Sequence, residues 1–76
     1  MLVEGKSYWV ITQCECTGQL HFVAKKWFYT QGRSLLTYMS IQDYSLRAIQ
    51  LQLKAFGLKR YPREYGADEA IVEGWA

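Results

Sequence analysis

The spacing of apolar residues changes period near Ser40, and this one change confines the chain to a mixed α+β fold. Before it come three runs rich in β-branched and aromatic residues: 7–16 (Ser-Tyr-Trp-Val-Ile-Thr-Gln-Cys-Glu-Cys), 19–29 and 34–39. Runs of this kind, bounded by turn residues, read as strands. Thr17-Gly18 and Thr30-Gln31-Gly32-Arg33 separate them. Gly18 can take the positive φ of a tight turn, so the first two runs read as a hairpin. After Ser40 the apolar residues recur every three or four positions as far as Phe56, which is the period of a helix. Ser40 stands where an N-cap is wanted, and Asp43 puts negative charge in the first turn. Gly57 reads as the residue that stops the helix, with Leu58 supplying an apolar contact. The expected helix therefore covers residues 41–56.

Past Gly57, Pro62 steers Tyr61 away from helical angles, and residues 58–69 read as irregular. Residues 70–75 (Ala-Ile-Val-Glu-Gly-Trp) read as a short last strand or a docked tail. The expected order is β-β-β-α-(β): a small antiparallel sheet of three strands, four if 70–75 join, packed on one helix. Seventy-six residues give room for one compact domain, 1–76, and no second.

Such a layout carries more apolar surface than it can readily hide. Half of the residues are hydrophobic and 16% are aromatic, which argues for a folded chain. The helix shows two apolar rows. One is Ile41, Tyr44, Ala48, Leu51 and Ala55; the other is Leu46, Ile49, Leu53 and Phe56. One sheet covers one row and its flank, and the second row needs other cover. The first strand is apolar on both faces at its start, with Tyr8 and Val10 on one side and Trp9 and Ile11 on the other. That pattern calls for cover on both sides or leaves an aromatic patch exposed. The rings best suited to anchor a partner are Tyr8, Trp9, Trp27, Tyr38, Tyr44 and Tyr61, joined by Arg47 and Arg60.

The net charge of +2 is a weak attraction for nucleic acid, but its distribution is uneven. Residues 31–60 carry Arg33, Arg47, Lys54, Lys59 and Arg60 against Asp43. Residues 61–76 carry Arg63 against Glu64, Asp68, Glu69 and Glu73. Cations interleaved with rings suit single-stranded nucleic acid, because phosphates are neutralised while bases stack. The candidates are Lys25, Lys26, Arg33, Lys54, Lys59, Arg60, Arg63 and Tyr65. In element order alone, the chain resembles the small plant-factor and integrase-arm domains that bind DNA through a three-stranded sheet. Their sheets are packed with arginine, and this one is not.

Cys14, Cys16 and His21 are the soft or imidazole metal ligands of the chain, and a two-residue turn would place all three on one face. A structural zinc site needs four ligands, so no metal and no cofactor is expected. Buried free thiols beside a surface histidine fit better. Cys14 opposite His21 also has the form of a nucleophile and its base, but a small hairpin offers no cleft, orienting group or oxyanion hole. No phosphate-binding glycine loop is present. The chain is expected not to be an enzyme.

A protein-interaction module is the function these features favour, with a larger protein or complex as partner and a homodimer as a further use of the surplus surface. In size and style the chain is similar to phage and mobile-element proteins that block a host complex, such as a CRISPR effector, by stoichiometric binding. A small DNA- or RNA-binding regulator using the sheet and the basic segment 54–63 is the alternative. The first residues form no secretory leader and no run is long enough to span a bilayer, so a cytoplasmic, membrane-free protein is expected.

Overall fold

A computed structural model describes residues 2–15, 18–63 and 67–76. The fold is α+β, and the described residues form five antiparallel strands and one helix. The strands are β1 (Lys6–Cys14), β2 (His21–Thr30), β3 (Arg33–Asp43), β4 (Arg60–Pro62) and β5 (Ile71–Trp75), and α1 (Leu46–Ala55) lies between β3 and β4. Their order across the sheet is β3-β2-β1-β5-β4. The C-terminal strand thus joins the sheet, and it does so beside β1, which becomes the central strand. The expected irregular loop after the helix contains a short fifth strand at 60–62, paired with β5.

The β1–β2 register places Cys14 opposite His21 and Tyr8 opposite Trp27. Gly18 has the positive φ expected of it, and Thr17 lies outside the described residues. At the β2–β3 turn Thr30 pairs with Arg33, and Gln31 and Gly32 both take positive φ (51° and 75°), the pattern of a two-residue hairpin loop. Glu4 reaches across to this turn, accepting from the Gln31 N–H at 2.9 Å and from the Thr30 hydroxyl at 3.1 Å.

The helix starts five residues later than the spacing predicts. Ser45, not Ser40, is its N-cap, with the hydroxyl accepting from the Ala48 N–H at 3.2 Å. Residues 41–43 instead extend β3, where Ile41 pairs with Ala24 and packs against the core. Asp43 ends the strand by accepting from the Ser45 N–H at 2.7 Å. Both serines suit a cap, and the burial that Ile41 gains as a strand residue outweighs a longer helix. The far end matches expectation. Gly57 has φ +82°, its N–H bonds to Lys54 O, and the Leu58 N–H bonds to Leu53 O. These are the two bonds of a Schellman stop.

Trp9, Ile11, Ala24, Ile49, Leu53 and Trp75 form the core between the helix and one face of the sheet, with Phe22, Ile41, Leu46, Leu58 and Val72 packed around them. Leu46, Ile49 and Leu53 are thus the helix row that is covered. Tyr44 and Leu51, from the other row, stay exposed.

Candidate interaction surfaces

Directly opposed residues in paired strands share a face, so the register sorts the side chains. Trp9, Ile11, Ala24, Ile41, Glu73 and Trp75 point to the helix. Tyr8, Val10 and Thr12 of β1, Val23, Lys25, Trp27 and Tyr29 of β2, Leu36 of β3 and Tyr61 of β4 point the other way. No element covers this second face among the described residues. Trp27 and Tyr29 are half-buried by their neighbours, while Leu36 and Tyr61 are exposed. A shallow groove of about 670 Å³ runs along the face, lined by Leu2, Tyr8, Val10, Tyr61, Pro62, Arg63, Ala67, Ile71 and Gly74. The strand residues on this face include Lys6 and Lys25 and, among those described, no carboxylate. Apolar residues on both sides of β1 therefore mean one covered face and one open face.

The expected anchors divide accordingly. Trp9 is core: it is buried, and its ring lies 6.2 Å from that of Phe56. Tyr8 is also buried, and its hydroxyl donates to the Ser34 hydroxyl at 2.6 Å, so it is a wall of the groove rather than a projecting anchor. Trp27 and Tyr61 remain on the open face. Tyr38 stands on β3 with 96% of its surface exposed. Tyr44 is exposed beside His21, with its ring edge-on at 6.0 Å. Together with His21, Gln42 and Asp43 it lines a second, smaller hollow.

Arg47, Gln50, Leu51, Lys54, Leu58, Lys59, Arg60 and Trp75 line a cleft of about 490 Å³ on the helix side. Three of these residues donate to Glu73, which is only 2% exposed: its carboxylate accepts from Gln50 Nε2 at 3.1 Å, Arg60 Nε at 3.0 Å and Trp75 Nε1 at 2.6 Å. Glu73 is therefore an internal acceptor and no part of an exposed acidic tail. Sequence reasoning missed it, although a carboxylate two residues before a tryptophan on a strand must share that ring's face. Arg47, Lys54 and Lys59 form no ion pair among the described residues.

The basic candidates do not form one surface. Lys25 is on the open face. Lys26 faces the helix side, with Nζ 3.9 Å from Met39 Sδ. Arg33 begins the outer strand. Lys54, Lys59 and Arg60 border the helix-side cleft, while Tyr61 and Arg63 border the groove on the opposite side. Tyr65 lies outside the described residues, as do Glu64 and Cys16.

Cys14 is disulfide-bonded, which corrects the expectation of a buried free thiol. In that state it offers no thiolate to His21 or to a metal. No group of three His, Cys, Asp or Glu among the described residues is arranged to hold a metal ion. Among the described residues, no helix is long and apolar enough to cross a membrane. Compared with family models, curated proteins and solved structures, the chain matches none.

Proposed function

We propose that this chain is a non-enzymatic protein-binding module that docks a larger protein on the sheet face opposite the helix. One observation carries this: Trp27, Leu36, Val10 and Tyr61 share a face that no helix or further strand covers among the described residues, beside an apolar-walled groove. Large apolar patches on a small domain mark interaction sites, and rings in such patches dominate binding energy. Lys6, Lys25 and Arg63 around the apolar centre, with no strand carboxylate among them, favour a partner surface that is apolar in the middle and acidic at its rim. The narrower form of the proposal is an inhibitor of phage or mobile-element type that blocks a host complex, such as a CRISPR effector, by occupancy. Its support is the small size of the domain and a recognition face that requires no chemistry.

Affinity capture from the native host, followed by mass spectrometry, tests the proposal. A partner retained at fixed stoichiometry by the native chain, lost with Trp27→Asp and kept with Leu51→Asp on the helix, supports it. Catalytic turnover, or no partner retained by the native chain, defeats it.

Nucleic-acid binding draws on a different observation, the helix-side cleft, where Arg47, Lys54 and Lys59 lack counter-charges among the described residues. A phosphate backbone is the ligand chemistry that such a cleft suits. Salt-dependent binding of single-stranded DNA or RNA, weakened by Lys54→Glu, would favour this function. No binding at low salt would eliminate it.

A further inference from the structure

The two edges of the sheet are built differently. β4 is three residues long, carries Arg60 and ends on Pro62, all devices that discourage pairing with another strand. β3 runs for eleven residues, and among the described residues its backbone ladder pairs with β2 alone. Between Arg33 and Asp43 its sequence is Ser-Leu-Leu-Thr-Tyr-Met-Ser-Ile-Gln, with no charge and no proline. The outer row of backbone N–H and C=O groups on such a strand is a template for another chain.

β3 is also symmetric about its own middle. Lys25 pairs with Ser40 and Trp27 with Leu36, so Thr37, Tyr38 and Met39 bulge opposite Lys26. The Thr37 hydroxyl fastens this bulge, donating to Lys26 O at 2.8 Å and accepting from the Met39 N–H at 3.2 Å. The regular flanks 33–36 and 40–43 are equal in length, and Tyr38 stands between them, 96% exposed. Leu35 lies opposite Phe28 and Ile41 opposite Ala24, which puts both on the helix side of the sheet.

We propose that β3 pairs antiparallel with β3 of a second copy about a two-fold axis at Tyr38, joining the two sheets edge to edge. In this register Arg33 meets the second copy's Asp43, and Leu35 meets its Ile41. Ser34 and Leu36 meet its Gln42 and Ser40. The two-fold repeats each pairing, so two opposite-charge pairs close the ends of the seam and two apolar pairs lie inside it. The bulges face one another at the axis, where neither flank needs them for pairing. A slip of two residues sets Arg33 against Ile41 and leaves Asp43 without its cation. Opposed side chains stay on matching faces, so both helices lie on one side and both open faces on the other. The dimer seam lies along the β3 edge and shares Leu36 with the partner face proposed above.

Sedimentation equilibrium of the full chain, with the variants, tests this. The native protein should sediment at twice the 8.9 kDa chain mass at high concentration. Tyr38→Glu and Arg33→Asp should each weaken dimerisation at least tenfold while leaving the circular dichroism unchanged. Adding Asp43→Arg to Arg33→Asp should recover part of the loss. Under mild oxidation Tyr38→Cys should cross-link two copies, and Leu51→Cys, on the exposed helix row, should not. A native protein that stays monomeric throughout overturns the proposal. So does a dimer indifferent to Tyr38→Glu, or one cross-linked through position 51 rather than 38.

Discussion

Trp75 donates its indole N–H to the Glu73 carboxylate at 2.6 Å, and this short bond ties the end of β5 to a buried charge. Gln50 from the helix and Arg60 from β4 donate to the same carboxylate. Glu73→Ala removes the common acceptor and strands the Trp75 N–H and the Gln50 amide in or near the core. A loss of about 3 kcal/mol is expected in urea denaturation, from unsatisfied buried donors. Arg60→Ala should cost less, about 1 kcal/mol, because its side chain is half exposed and Glu73 keeps two donors. Equal losses for the two variants would show that the ion pair, rather than the whole cluster, matters.

The two helix rows should differ sharply under truncation. Ile49 and Leu53 are fully buried, so Ile49→Ala and Leu53→Ala each create a cavity, with an expected loss of about 2–5 kcal/mol. Leu51 is exposed, and Leu51→Ala should stay within about 0.5 kcal/mol of the native chain. Chemical denaturation of the three variants checks this. A large loss at Leu51 would mean that the exposed row is covered in solution.

Those rows also show what was legible in the sequence. The periodicity announced both of them, the glycine stop and the three leading strands, because each rests on local spacing. It did not say which row the sheet would cover, since that depends on how the helix packs across β2 and β3. The helix start was misplaced because Ser40 and Ser45 have the same capping chemistry, and only the pairing of Ile41 with Ala24 separates them. Residues 60–62 escaped notice because three residues ending in proline carry no strand pattern of their own. Among the candidate anchors, Tyr38 and Trp9 looked alike in composition. One stands on a bulge at the sheet edge and the other lies under the helix, a difference set by register.

Gly57→Ala isolates the cost of the helix stop. The added methyl group would meet nothing within 4 Å, so no clash contributes. What remains is the φ of +82°, which an L-residue with a Cβ disfavours by about 1–2 kcal/mol. Thermal denaturation should register a loss of that size with native helix content. A neutral result would mean that the last turn rearranges to a stop that tolerates alanine.

Tyr8 and Ser34 bridge three strands. Tyr8 belongs to the central β1 and Ser34 to the outer β3, and the bond between their hydroxyls passes over β2 on the open face. Tyr8→Phe keeps the ring, which is buried, and deletes only the donor. The expected loss is about 1 kcal/mol, the usual net value of one partly buried hydrogen bond. Ser34→Ala should cost a similar amount, and the double variant should cost little more than either single one, because both remove the same bond. The effect should concentrate at the outer strand, so amide hydrogen exchange in residues 33–36 should speed up while exchange in β1 stays slow. Additive losses, or faster exchange spread evenly over the sheet, would show that this bond does not hold β3 in place.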